Sequence, residues 1–150
     1  MRRKEKAVTD PAAIEAIIKS AMVCRMAMCD QSMPYVVPLC FGYREGVFFF
    51  HSAANGRKLD ILKANPHVCI ELESDVTLQP GATPCKWGMG FNSVIAFGTA
   101  GQITDPADKR DALDTIMDHY GSGPWNYSAK VLDATVVIRV DVDHMTAKRS

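Results

Sequence analysis

His51, Ser52, Gly56, Arg57 and Lys58 place an imidazole, a hydroxyl and two cations within a short stretch between Phe48 and Leu59. The apolar run Phe48-Phe49-Phe50 before them reads as a strand, and Arg57 onward reads as a helix. Unpaired backbone N–H groups at a helix start face whatever lies ahead of them, and the helix dipole favours negative charge there. Two cations against the positive end of that dipole are unfavourable unless a bound anion offsets them. The chemistry this implies is capture of a phosphate group. Histidine titrates near neutrality, so His51 is the candidate for moving a proton at such a site. A solvated basic helix start would show the same residues, and the local pattern leaves both readings open.

The scaffold that must hold these residues is bounded by composition. With 150 residues, 47% of them hydrophobic, and a net charge of zero, the chain reads as one domain over residues 1–150. Neutral charge argues against a nucleic-acid partner, since the basic cluster Arg2, Arg3, Lys4 and Lys6 sits at the extreme N-terminus. No stretch approaches the roughly 18 apolar residues of a membrane span, and no signal-peptide pattern follows the basic cluster, so a cytoplasmic location is expected. The cysteines Cys24, Cys29, Cys40, Cys69 and Cys85 are odd in number and lack the close pairing of zinc ligands or redox motifs. Cys24, Cys40 and Cys69 fall in apolar runs and read as small buried hydrophobes; no metal site is expected.

Hydrophobic spacing sets the elements. Asp10-Pro11 caps a helix carrying Ile14, Ile17 and Ile18 on one face to about Ser20, and Asp105-Pro106 caps another with Leu113, Ile116 and Met117. Strands are expected over Met22 to Met28, Pro34 to Tyr43, Val47 to Phe50, His67 to Glu73, Phe91 to Thr104 and Ala134 to Met145. A helix from about Gly56 ends before Asn65-Pro66, and Ser74 to Gly90 reads as a long loop suspected of a role at a site or subunit contact. Six strands and three helices, with hairpin-length connections among the first three strands, favour an α+β fold: an antiparallel barrel-like sheet with helices packed outside.

In register along nearly the whole chain, Arg2-Arg3-Lys4, Cys24-Arg25-Met26-Ala27, Pro34-Tyr35-Val36-Val37-Pro38-Leu39, Phe41-Gly42-Tyr43, His51-Ser52-Ala53, Gly56-Arg57-Lys58, Asn65-Pro66-His67-Val68-Cys69, Ser93-Val94 and Ala147-Lys148-Arg149 carry a resemblance. The sequence resembles the nitroimidazole-resistance branch of the pyridoxamine 5'-phosphate oxidase-like flavoproteins. That resemblance implies a split β-barrel, which the six strands read above would form, a homodimer, and FMN bound at the subunit interface. It places His51, Ser52, Ala53 and Lys58 at the FMN phosphate, with Lys58 as ionic partner. Arg25 and Met26 match a strand flanking the cofactor, Val36, Val37, Pro38 and Leu39 the strand along the isoalloxazine edge, and Ser93 and Val94 a late strand that also reaches it. Pro38 cannot donate to a ladder and is expected at an edge or bulge. The implied activity is an FMN-dependent reductase that takes electrons from NAD(P)H and passes them to a nitroaromatic, nitroimidazole or quinone-like acceptor. Arg25 or a backbone dipole would stabilise the reduced ring.

Other roles for the same residues stay open at this level. Arg25 reads equally as a structural arginine paired to a carboxylate, Lys58 as a surface lysine, and Ser52 and Ser93 as turn and strand fillers. The phenylalanine run and the Val36-Val37 pair suit barrel core. His67 and His119 look like exposed or capping residues, while Trp87 and Trp125, in glycine- and proline-rich loops, suit a subunit contact or a ligand cover. Phe91-Asn92 stands where the family pattern leads one to expect an aromatic and a basic residue, and the C-terminus lacks the ending of true pyridoxamine phosphate oxidases, so that activity is not expected. An alternative function is a non-catalytic flavin, deazaflavin or haem protein on the same barrel, with His51 or His144 as the axial ligand haem would need.

Overall fold

In the computed structural model, which describes residues 4–150, both Asp-Pro pairs open helices as the sequence predicts. In chain order the described residues form β1 (Ala7–Val8), α1 (Pro11–Ser20), β2 (Cys24–Asp30), β3 (Met33–Leu39), β4 (Gly42–Arg44), β5 (Val47–Ala53), α2 (Arg57–Ala64), β6 (His67–Gln79), β7 (Gly88–Ile103), α3 (Pro106–Asp118), α4 (Ala129–Ala134) and β8 (Thr135–Arg149). Arg2 and Arg3 of the basic N-terminal cluster lie outside the described residues. The Asp10 carboxylate accepts the Ala13 amide at 3.1 Å, and Asp105 accepts those of Ala107 at 2.8 Å and Asp108 at 3.1 Å. Asp105→Ala removes two such bonds, and about 1 kcal/mol of stability should be lost in chemical denaturation with an unchanged denaturant slope.

The strands pair antiparallel in the order β3-β2-β6-β7-β8-β5-β4, with β1 added beside β8. This is the expected class, a split antiparallel barrel with flanking helices, but with eight strands among the described residues instead of six. The single strand expected over Pro34 to Tyr43 is two, because β3 pairs with β2 whereas β4 pairs with β5. Those two are the opposite edges of the sheet, and only Cys40 and Phe41 join them. Three Cα steps span at most about 11 Å, so the edges must come together there and the sheet curls on itself. Cys40 sits in that crossing and is exposed, contrary to expectation, while Cys24 is buried and its thiol is pushed up to about 12 by burial. The Tyr120 hydroxyl ties the crossing down: it accepts the Phe41 amide at 3.0 Å and donates to the Met22 carbonyl at 3.0 Å.

The stretch Ser74 to Gly90, expected as a loop, is mostly strand. Asp75 adopts a left-handed φ of 53° at a bulge in β6, after which Leu78 pairs with Met89 and Gln79 with Gly88. The extra residue breaks the alternation that marks β6 earlier, which hides the strand from a period-two reading. A Cβ at Gly90 would meet Thr77 Oγ1 at 2.7 Å and Gln79 Nε2 at 2.8 Å, so its bare backbone leaves room for these two cross-strand side chains.

Alternation along β5 builds two cores. Phe48 and Phe50 face the barrel interior with Met26, Ile70, Leu72, Val94 and Val140, plugged by Ile17 and Ile18 of α1 and Ile61 of α2. Phe49 faces the other way, with Val137, onto Leu113 and Ile116 of α3 and Leu132 of α4, a helix the sequence reading missed. Trp125 packs within its own chain, its indole N–H donating to Asp118 at 2.7 Å.

Candidate functional site

Strand β5 delivers the chain to the start of α2, the one place where the sequence concentrates anion-binding residues. Gly56 stands at the N-cap with φ 147°, a conformation L side chains rarely adopt, and no side chain caps this helix, whereas Asp10, Asp105 and Ser128 cap α1, α3 and α4. The Leu59 and Asp60 amides donate to the Gly56 carbonyl at 2.9 and 3.3 Å, which leaves those of Arg57 and Lys58 open to a ligand in front of them.

The two cations of that turn differ. Arg57 donates to Asp30 at 3.1 Å and lies 4.7 Å over the Tyr35 ring, so its charge is committed to the β2–β3 hairpin. This contact sets edge strand β3 against the α2 start. Lys58 forms no ion pair among the described residues, and burial alone lowers its pKa from the ordinary lysine value. A desolvated ammonium without a carboxylate, at an uncapped helix N-terminus, suits an anionic ligand. Arg57→Ala should cost about 1 kcal/mol or less of stability and weaken anion binding less than loss of Lys58 does, measured by thermal melts and ligand titration.

His51 and Ser52 leave β5 on opposite faces. His51 follows Phe49 and pairs with Val137 on the α3 side; Ser52 follows Phe50 and pairs with Val136 on the side where Leu59 and Leu62 of α2 pack. One ligand on the α2 side is therefore offered the Ser52 hydroxyl, with His51 and Ala53 available through their main chain. The His51 ring is exposed and makes no hydrogen bond among the described residues; that of His144 stacks on Phe97 at 4.9 Å. A cavity of about 400 Å³ adjoins the α2 start through Ala54 and Leu59, but it is lined by Lys63, Gln102, Val136 and Ile138 and by none of the β2 or β3 residues expected at the cofactor.

Those residues instead share the barrel's outer surface or its interior. Met26 and Val94 are wholly within the core, leaving only main chain for a ligand. Val36 and Pro38 are exposed on β3, an edge strand, where a proline costs no ladder bond; Val37 and Leu39 are half-buried. Pro38, Arg25, Glu71 and Ile95 form one row across the sheet, and Glu73 pairs with Ser93 in the next. Arg25 is exposed and donates to Glu71 at 3.1 Å and Glu73 at 2.7 Å, so its charge is already balanced. Burial and the neighbouring Glu73 raise the Glu71 pKa, with Arg25 opposing. The carboxylates were not singled out in the sequence because their approach to Arg25 depends on strand register 46 and 48 residues away. Exposed Ile95 and Phe97 were missed too, although period-two spacing from Ser93 marks them. Among the described residues no three His, Cys, Asp or Glu side chains cluster as a metal site requires, and no helix is long and apolar enough to cross a membrane.

Residues 10–149 match the family model described as pyridoxamine 5'-phosphate oxidase. Comparison with curated proteins returns no match. Among solved structures, the chain is similar to a candidate 5-nitroimidazole antibiotic resistance protein from Bacteroides thetaiotaomicron, with 35% identity over 95% of this chain and 86% of that one and a TM-score of 0.86. A flavocytochrome from Azotobacter vinelandii shares 21% identity over 100% of this chain and 72% of that one, with a TM-score of 0.87. An FAD and haem binding protein from Mycobacterium smegmatis shares 18% identity over 97% and 73%, also with a TM-score of 0.87. The last two likenesses show the fold alone.

Proposed function

The chain belongs to the pyridoxamine 5'-phosphate oxidase family, and from that premise we propose that it is an FMN-dependent reductase whose FMN phosphate is held at the start of α2. The observation that carries this reading is the half-buried Lys58 ammonium, without a carboxylate partner among the described residues, at an uncapped helix N-terminus. A phosphate dianion there restores the charge balance that the fold leaves open, and the α2 amides and the Ser52 hydroxyl add donors. A bound flavin supplies electron transfer between a nicotinamide donor, NAD(P)H, and an electron-poor acceptor. The protein's part is to orient the ring and exclude water. Exposed edge strand β3 offers main chain beside the α2 start, and backbone dipoles, with Arg25 already engaged, provide positive potential.

The acceptor class is a nitroaromatic such as a nitroimidazole, supported by the 35% identity to the Bacteroides protein. A homodimer is supported by the outer sheet face, where exposed Val36, Ile95 and Phe97 form an apolar surface that one chain leaves uncovered. Anaerobic titration of the FMN-loaded protein with NADH or NADPH, followed by a nitroimidazole, tests the reading. Bleaching of the flavin absorbance by the donor and its return on adding acceptor are expected. A haem or deazaflavin spectrum in the purified protein, or a flavin that the donor leaves oxidised, would contradict it.

A further inference from the structure

Helix α2 turns three faces to its surroundings. Ile61 enters the barrel core, and Arg57 and Asp60 line a cavity at the β2–β3 hairpin, where Asp30 balances Arg57. Leu59, Leu62 and Lys63, at i, i+3 and i+4, share the remaining face and look onto β7 and β8. Between that face and the two strands lies the cavity of about 400 Å³ that no β2 or β3 residue lines.

The cavity owes its room to small residues. Ala100 of β7 and Ala54, just past β5, stand where longer side chains would fill the gap between helix and sheet. Its inner end is apolar, closed by Ile138, 2% exposed, with half-buried Leu59, Leu62 and Val136. Lys63 and Gln102, which pairs with Ile138 across the sheet, are exposed and form the mouth. Water inside meets hydrocarbon on most sides, so an apolar occupant gains by displacing it.

The mouth fixes the charge of the occupant. Lys63 forms no ion pair among the described residues, although Asp60 stands at the i−3 position of the same helix. No acidic side chain lines this cavity, whereas Asp118 lines one of about 370 Å³, Asp30 and Asp60 one of about 480 Å³, and Glu71 and Glu73 one of about 300 Å³. One ammonium and one amide donor beside an apolar slot match a single carboxylate on a hydrocarbon body. A phosphate dianion would call for more donors, and an amine would meet like charge.

We propose that the cavity between α2 and strands β7 and β8 is a second ligand site that takes a small amphipathic carboxylate, its hydrocarbon along Leu59, Leu62, Val136 and Ile138 and its carboxylate accepting from Lys63 and Gln102. The site uses other side chains of α2 than the flavin phosphate does, and it stands whether or not flavin binds.

Calorimetric titration of the protein, with and without FMN, using butanoate, hexanoate and octanoate tests this. Affinity should rise about fourfold per added methylene, the transfer free energy of one buried CH₂ group. Octan-1-ol and octylammonium should bind at least about tenfold more weakly than octanoate, the order of a charge-assisted hydrogen bond. Lys63→Glu, at an exposed position, should weaken octanoate by at least as much and turn the preference toward octylammonium, while Ala100→Leu, which fills the slot, should abolish the dependence on chain length. Absence of binding, or an affinity indifferent to chain length, to the charge of the ligand or to Lys63→Glu, would overturn the proposal, as would octanoate that expels FMN from the loaded protein. A protein that takes octanoate but no FMN would contradict the reductase reading and leave this site standing.

Discussion

Lys58→Ala is expected to weaken FMN binding by about 1.5–3 kcal/mol, roughly 10- to 150-fold in Kd, the range for a hydrogen bond to a charged group. Flavin fluorescence titration reads the change directly. The pH dependence has a definite sign. In the free protein, burial holds the Lys58 pKa below the ordinary lysine value, whereas a bound dianion favours the ammonium. Affinity should therefore be greatest below the free-protein pKa, fall as pH rises through it, and lose that dependence in Lys58→Ala. The same burial acts on stability. Because the folded pKa lies below the unfolded one, the charged lysine destabilises the apo fold fully at pH below the folded value. That cost diminishes as pH climbs toward the unfolded value. Lys58→Met should thus keep or raise the apo Tm at neutral pH while FMN affinity drops, a separation that a merely structural lysine would not give.

Phe48→Ala should cost about 3–5 kcal/mol, a large share of the ~5–15 kcal/mol that holds a domain together. Phe48 is fully buried, with Tyr43 at 4.8 Å, Phe41 at 5.7 Å and Phe50 at 6.4 Å between ring centroids. Its loss opens the barrel where β4 meets β5 and loosens the strand that delivers Ser52 and Lys58 to the site. At ~2–4 °C per kcal/mol for a chain of this size, Tm should fall by roughly 6–20 °C in calorimetry.

What was legible in the sequence had local causes. The Asp-Pro caps of α1 and α3, the phenylalanine run of β5 and the start of α2 each depend on residues a few positions apart, and each stands where expected. What was hidden depends on partners far along the chain. The break at Cys40 is invisible because apolar residues run through it, although β3 and β4 belong to opposite edges of the sheet. The arm from Asp75 to Gly90 reads as loop because a bulge shifts its phase and its glycines accommodate cross-strand side chains. At the candidate site, the charge pattern pointed to the α2 start but could not separate Arg57, neutralised by Asp30, from Lys58, which has no carboxylate partner among the described residues. Period-two geometry further divides His51 from Ser52, which chain proximity had grouped together.

The most direct measurement is a crystal structure of the protein with FMN. The phosphate is expected in front of the first turn of α2, within hydrogen-bond distance of Lys58 Nζ and the Ser52 hydroxyl. A phosphate held elsewhere on the barrel, with Lys58 turned to solvent or to a carboxylate, would contradict the account.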